Sequence, residues 1–586
     1  MSVSDALPRR FPFGLRWLGQ GLWGLEHAFE RARASGRVED DTRLRIFVVM
    51  LVFVAGFCAL SAGATHAALF SDAVRAGSPG WTPPYSRADL VDRNGRLLAA
   101  DLLHYGVYID PSEVWDADAT AAALRRVLPE VSAERVERVL SGQRRAYLAG
   151  GLTPVRRAEV HRLGLPGVTF EPEQRRVYPL NHTASHLLGF ADTGGQGLAG
   201  VELALNDEIR GLAGSGGEVA LSIDLRVQGA LEDELRGAAE AYRPKGAVGI
   251  VANVHTGEIL GLASYPDFDP NAPGAADADA RLNRAASTVF EMGSTFKAFT
   301  VAIGLDAGVA TMATTFDARE PYKLGYRTIH DYHATRKVLS LVEVFQHSSN
   351  IGTARLAVGV GAERLAGYFQ ALGLTTRADV ELKESASPLT PRVWNEDAVA
   401  STSFGHGMNV TPLALTEAML PLLNGGRRVP LTIRKLAPGA APEGERVLSE
   451  TTSAQMLQIM RANVTGGSGG KADAPGLSVG GKTGTGEKYD PEIRRYNGKR
   501  QVSSFAAVFP SDGPLENDRY FVLILLDEPK GTAETFGYST GGWVAAPATG
   551  RVISRIAPFL GVKRHVGPLE NQPRLASVAD LDGGGL

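Results

Sequence analysis

The chain has 586 residues, 61 Lys and Arg against 64 Asp and Glu, a formal net charge of −3 and 44% hydrophobic residues. That length suits two to four domains at ~150 residues each, and the charge balance gives no global reason to expect nucleic-acid binding. The single cysteine, Cys58, excludes an intramolecular disulfide, an iron–sulfur cluster and a cysteine-rich zinc site.

In chain order, residues 1–45 read as an arginine-bearing tail in which Phe11 to Phe29 (Trp17, Leu18, Leu22, Trp23, Leu25) is either an interfacial amphipathic helix or a poorly ordered segment. Ile46 to Thr65 is a run of twenty residues without a charge. A helix of about 20 residues crosses the ~30 Å hydrocarbon layer, so a transmembrane helix is expected over 46–66. Arg43 and Arg45 precede the run and the next cation is Arg75, which orients the tail to the cytoplasm and the rest outside. A cleaved signal peptide is the competing reading, and the long preamble disfavours it.

Asp72 to Arg87 reads as a Pro/Gly linker. Leu90 to Ala99 reads as strand, Asn94-Gly95 turn, strand. Ala119 to Leu128 and Ser132 to Leu140 read as short helices, and Arg175 and Arg176 as ordinary solvated charge. Gly211 to Gly217 is a plausible joint, and Lys245, the first lysine, marks either a composition boundary near 240 or plain codon bias. Asp224 to Tyr242 is a long helical pattern. Ala247 to Asn253 and Glu258 to Ser264 flank His255-Thr256-Gly257 as a hairpin, and Ser503 to Phe509 with Tyr520 to Asp527 form a second strand pair. Strands at both ends of a module with helices between them predict an α+β or α/β sheet closed by distant segments. Residues from 566 onward read as a flexible tail.

Three clusters carry chemistry. In Gly293-Ser294-Thr295-Phe296-Lys297, Ser294 and Lys297 share a helical face. Serine needs a base, and lysine serves as one only when desolvation or a neighbouring cation makes it neutral. A second Ser-x-x-Lys, Ser468 to Lys471, sits in a glycine run and reads as loop. Ser348-Ser349-Asn350 offers a hydroxyl and an amide for proton relay and substrate binding, though such a triplet is also a common helix cap. Gly480 to Gly486 contains Lys482-Thr483-Gly484. With Gly476 and Gly481 it also satisfies the phosphate-loop pattern, but Thr483-Gly484-Thr485-Gly486 is a poor helix start.

The order S-x-x-K, S-x-N, K-T-G is that of penicilloyl-serine transferases. The chain resembles the class B penicillin-binding proteins of the cell-division (FtsI) type. Further elements carry the resemblance: Arg87 with Asp92-Arg93-Asn94-Gly95, Arg176-Val177-Tyr178-Pro179, His186 to Phe190, Gly197 to Glu202, Glu291 to Lys297 with Met292 in place of proline, Ser403 to Gly407, and Val410 to Leu413. It implies an α+β fold with one transmembrane helix, a β-rich pedestal or dimerisation domain at 71–220, and a transpeptidase domain at 221–565 built on an antiparallel five-stranded sheet. A tail would follow at 566–586.

It also implies D,D-transpeptidation of peptidoglycan stem peptides ending in D-Ala-D-Ala, and acylation by β-lactams. Ser294 would be the nucleophile, Lys297 its base, Ser348 the proton relay and Asn350 a ligand of the donor amide and of Lys297. Lys482, whose charge would keep Lys297 partly neutral, Thr483, Gly484 and Thr485 would bind the substrate. The N–H groups of Ser294 and Thr485 would form the oxyanion hole. Neither a metal nor an organic cofactor is implied. The implied setting is the bacterial inner membrane with a periplasmic catalytic domain, among divisome proteins that include a lipid II-polymerising glycosyltransferase of the FtsW type. An elongation-type relative shares the chemistry, but Ile329-His330-Asp331-Tyr332-His333 and Asn350 look more like the division type. A membrane-bound β-lactam sensor or β-lactamase and a scaffold with an idle site are the other readings.

Overall fold

The computed structural model describes residues 86–490 and 492–565, the helical backbone of 38–70, and a few positions between 24 and 36. The expected segments at Phe11 to Phe29, at Asp72 to Arg87, and beyond 565 lie wholly or largely outside the described residues. Residues Met1–Thr82 form one unit and Pro83–Leu586 another.

The first unit contains helix α1, Val38–Phe70, which begins ahead of the apolar run. Its large apolar side chains stand exposed, Phe53 at 74% and Leu60 at 76%. Among the described residues no helix is long and apolar enough to cross a membrane. The expected span at 46–66 runs past Ser61, after which the side chains of α1 lie outside the described residues.

The second unit opens with the expected hairpin, β1 (Asp89–Val91) and β2 (Leu97–Ile109), paired antiparallel. Asp92 makes the turn: its Oδ1 accepts from the N–H groups of Asn94 at 2.8 Å and Arg96 at 2.9 Å. Helices α2 (Ala117–Val127) and α3 (Ala133–Leu140) are capped by Asp116 and Ser132, one or two residues from where the sequence puts their starts. Strands β3 (Ala146–Leu152) and β4 (Val168–Val177) both pair with β2. The glycine-rich stretch at 211–217 does not end this sheet, because β5 (Glu218–Ala220) follows it and pairs parallel with β1.

A buried ionic network ties the sheet to the loops beyond it. Glu202, fully buried, accepts from Arg87 Nε at 2.7 Å and Arg176 Nε at 2.6 Å. The reading of Arg176 as solvated charge is therefore wrong: its side chain is 4% exposed, whereas Arg175 is 39% exposed. A charge so deep requires paired carboxylates, and Glu202 with Asp101 supplies them.

Helix α4 (Leu225–Tyr242) starts at Asp224, whose carboxylate accepts from Arg226 N at 2.9 Å, and ends at Arg243 in the left-handed region before Pro244. The D-R-N-G turn also reaches this junction: Asp92 Oδ2 accepts from Leu225 N at 3.1 Å, and Asn94 Nδ2 donates to Asp224 Oδ2 at 3.1 Å.

The larger sheet is antiparallel throughout. Its members are β6 (Gly246–Asn253), β7 (Ile259–Tyr265), β8 (Gly480–Asp490), β9 (Arg495–Phe509) and β10 (Tyr520–Asp527), in the order β8-β9-β10-β6-β7. Both predicted strand pairs form, and β10 joins them by pairing with β6. Side chains alternate between two cores. Val251, Phe505 and Ile524 face α4 and the helix Gly541–Ile556, while Val248, Ala506 and Leu523 face the helices between the strand pairs. Strand β8, which the sequence presents only as a glycine-rich motif, is the sheet's edge, and β9 begins eight residues before the predicted Ser503.

Candidate active site

The nucleophile candidate sits on a turn. Gly293–Phe296 forms one turn of 3₁₀ helix that leads into α5, Lys297–Asp306. Gly293 has φ +54, and a Cβ there would lie 2.3 Å from the Thr485 carbonyl oxygen. On the strand, a Cβ at Gly484 would lie 2.4 Å from Thr295 Oγ1. These two glycines let β8 lie directly against the turn that carries Ser294.

The S-x-N triplet links α6 (Leu341–Gln346) to α7 (Asn350–Val360). Ser348 has φ +56, a left-handed conformation that costs a non-glycine residue of order 1–3 kcal/mol and persists only when its surroundings fix it. They do. Ser349 caps α7 by accepting from Gly352 N at 3.0 Å, and Asp331 accepts from Ser349 Oγ at 2.8 Å and from Ile351 N at 2.9 Å. Asn350 Nδ2 donates to the His330 carbonyl at 3.0 Å.

Two lysines converge on one hydroxyl. Lys297 Nζ is hydrogen-bonded to Ser348 Oγ at 3.1 Å, to Asn350 Oδ1 at 2.7 Å and to the Ser348 carbonyl. Lys482 Nζ lies 3.0 Å from Ser348 Oγ and donates to the Thr483 carbonyl at 3.2 Å. Both lysines are fully buried. Burial pulls Lys297 down to about 7, opposed by the negative charge of Asp331. The expectation that the charge of Lys482 accounts for this needs correction: desolvation is the main cause. The like-charge effect is felt at Lys482, which burial and then Lys297 hold well below its usual range. A neutral Lys297 is a base, and Ser348 Oγ is placed to pass a proton between the two amines.

These groups open on a cleft of about 590 Å³ lined by Ser294, Ser348, Asn350, Thr483 and Thr485. Thr485 Oγ1 accepts from Gly541 N at 3.1 Å, which leaves its proton free to point at a ligand. Among the described residues Lys297 Nζ has no hydrogen bond to Ser294 Oγ, so in this state Ser348 lies between the S-x-x-K and K-T-G elements.

Several further residues at the site carried no role in the sequence reading, although His406 and Glu291 stood in its quoted motifs. His406 lines the cleft, stacks on Tyr496 with ring centroids 5.8 Å apart, and is pulled down to about 4 by burial and by Lys297. Glu291 joins three elements by accepting from Tyr496 OH at 2.7 Å and Gly407 N at 3.1 Å. Ser468 and Lys471, read as idle loop, line the cleft too, beside Trp543. Their only sequence signal was the repeated Ser-x-x-Lys spacing.

The chain is similar to known proteins over most of its length. Residues 247–554 match the penicillin binding protein transpeptidase domain and residues 82–217 the penicillin-binding protein dimerisation domain. A probable peptidoglycan D,D-transpeptidase FtsI from Caulobacter vibrioides is 67% identical over 96% of both chains. The peptidoglycan D,D-transpeptidase FtsI of Escherichia coli K12 is 30% identical over 82% of this chain and 84% of its own. A peptidoglycan synthetase structure from Bifidobacterium adolescentis shares the fold at TM-score 0.63 and 21% identity, covering 83% of this chain and 97% of that one. The chain belongs to the penicillin-binding protein transpeptidases. Within them it is a class B protein of the FtsI type, a peptidoglycan D,D-transpeptidase.

Proposed function

We propose that the enzyme cross-links peptidoglycan stem peptides at the division septum through an ester on Ser294. The convergence of Lys297 Nζ and Lys482 Nζ on Ser348 Oγ carries this reading. Ser294 Oγ attacks the carbonyl of the penultimate D-Ala while neutral Lys297 takes its proton. The N–H groups of Ser294 and Thr485 hold the oxyanion, an interaction whose loss typically costs ~10²–10³ in rate. Ser348 returns the proton to the leaving D-Ala amine, Asn350 holds the donor amide, and Thr483, Gly484 and Thr485 on the edge strand β8 bind the donor and its carboxylate beside Lys482. An acceptor amine from a second stem then attacks the ester, and its proton returns through the same groups. A β-lactam follows the first half and stalls as the acyl-enzyme.

The domain layout follows the same reading: tail 1–45, membrane helix 46–66, pedestal 71–220, transpeptidase 221–565 and tail 566–586. The uncharged run of α1, with Phe53, Phe57 and Leu60 exposed, supports a single-pass anchor with the catalytic domain outside the inner membrane. Partners would be divisome proteins, including an FtsW-type glycosyltransferase.

The test is D-Ala release from a stem pentapeptide in the presence of an acceptor amine, with formation of the joined peptide. Release without joining would be carboxypeptidase activity, whereas rapid loss of a penicillin adduct to water would favour the β-lactamase reading. A tagged chain is expected at the septum; uniform side-wall signal would favour the elongation role.

A further inference from the structure

The second Ser-x-x-Lys is not idle loop. Asn463, fully buried near the end of the helix Glu450–Gly466, ties it to β8. Its Nδ2 donates to the Gly481 carbonyl at 2.8 Å, and its Oδ1 accepts from the Ser468 N–H and hydroxyl, each at 3.2 Å. Ser468 Oγ then lies 2.9 Å from Thr483 Oγ1, the hydroxyl assigned above to the donor's carboxylate. Lys471 Nζ sits 4.2 Å from the ring centroid of Trp543, and both residues line the cleft. A cation over an indole face is held there by the ring quadrupole.

The charge of Lys471 is free for a ligand. Among the described residues no carboxylate pairs with it, and its neighbour Asp473 is engaged by Arg461 at 2.7 Å. Glu487, the acidic side chain of the cleft wall, lies four residues beyond Thr483 on β8, about 13 Å along a strand. Lys297 and Lys482 are buried in a shared environment that disfavours two charges, so neither is a dependable fixed cation for an incoming carboxylate.

We propose that Lys471 and Ser468 extend the carboxylate-binding end of the cleft, Lys471 attracting the donor's free carboxylate and Ser468 turning its proton from Asn463 to Thr483 Oγ1, which leaves the Thr483 proton for the carboxylate. The carboxylate is that of the terminal D-Ala or of a β-lactam that mimics it. The proposal rests on Ser294 as the nucleophile of this cleft.

The experiment compares second-order rate constants for acylation of the full chain by benzylpenicillin and by its neutral methyl ester. Lys471→Met is expected to slow benzylpenicillin by about three- to fivefold, the range of an exposed ion pair, and to leave the ester unchanged. Lys471→Arg should restore the rate, and high salt should shrink the advantage of the unaltered protein. An equal fall with both probes, or no fall with either, would overturn the proposal. Failure of the unaltered protein to be acylated by either probe would remove the nucleophile assignment and this proposal together.

Discussion

Lys297 is a fully buried lysine, and its chemistry follows from that. Because burial lowers it to about 7, the neutral base accumulates as pH rises through that value. The rate of Ser294 acylation by a β-lactam should therefore climb from acid to neutral pH with a midpoint near 7 and level off above it. A profile flat between acid and neutral pH would contradict the role of Lys297. Removing the base in Lys297→Ala should lower the rate by ~10²–10⁴, the usual contribution of a positioned proton acceptor. The groups proposed to react stood out in the sequence because S-x-x-K, S-x-N and K-T-G are local spacings. The contacts that hold them did not. Asp331 and Glu291 stood in quoted motifs without a role and Asn463 in none, because they act through contacts across 18, 205 and 18 residues of chain, which no local pattern encodes.

At the scale of elements, the site depends on β8 lying against the 3₁₀ turn and on α7 being fixed at its start. In Gly293→Ala the new Cβ meets the Thr485 carbonyl in a left-handed conformation. Denaturant unfolding should show a loss of about 1–3 kcal/mol, and acylation should slow because β8 is pushed off the nucleophile. Asp331→Asn keeps an acceptor for Ile351 N but removes the charge that opposes the effect of burial on Lys297. The acid limb of its pH profile should therefore move to lower pH; a shift to higher pH would refute this electrostatic role. Elements with a helical hydrophobic period, such as α4, or a continuous apolar run, such as β6 and β10, were legible. Strand β8 was not, because its glycines erase the alternation, although those same glycines permit the close approach the site requires.

For the whole molecule, the pedestal sheet and the transpeptidase sheet meet at the D-R-N-G turn and the start of α4, while the Arg87–Glu202–Arg176 network stiffens the pedestal loops. Glu202→Gln would leave two buried guanidinium groups short of charge and should cost about 3–5 kcal/mol in unfolding free energy. A loss below ~1 kcal/mol would mean that water reaches the network. The presence of a dimerisation domain and a transpeptidase domain was legible from the motifs. The burial of the pedestal arginines was not, since a strand of alternating charge looks the same whether one face meets water or a buried glutamate. The central claim concerns one oxygen atom, and mass spectrometry of the penicillin-treated protein tests it directly. The account predicts a single acyl adduct on the peptide containing Ser294, absent from Ser294→Ala; an adduct on any other residue, or none, would contradict it.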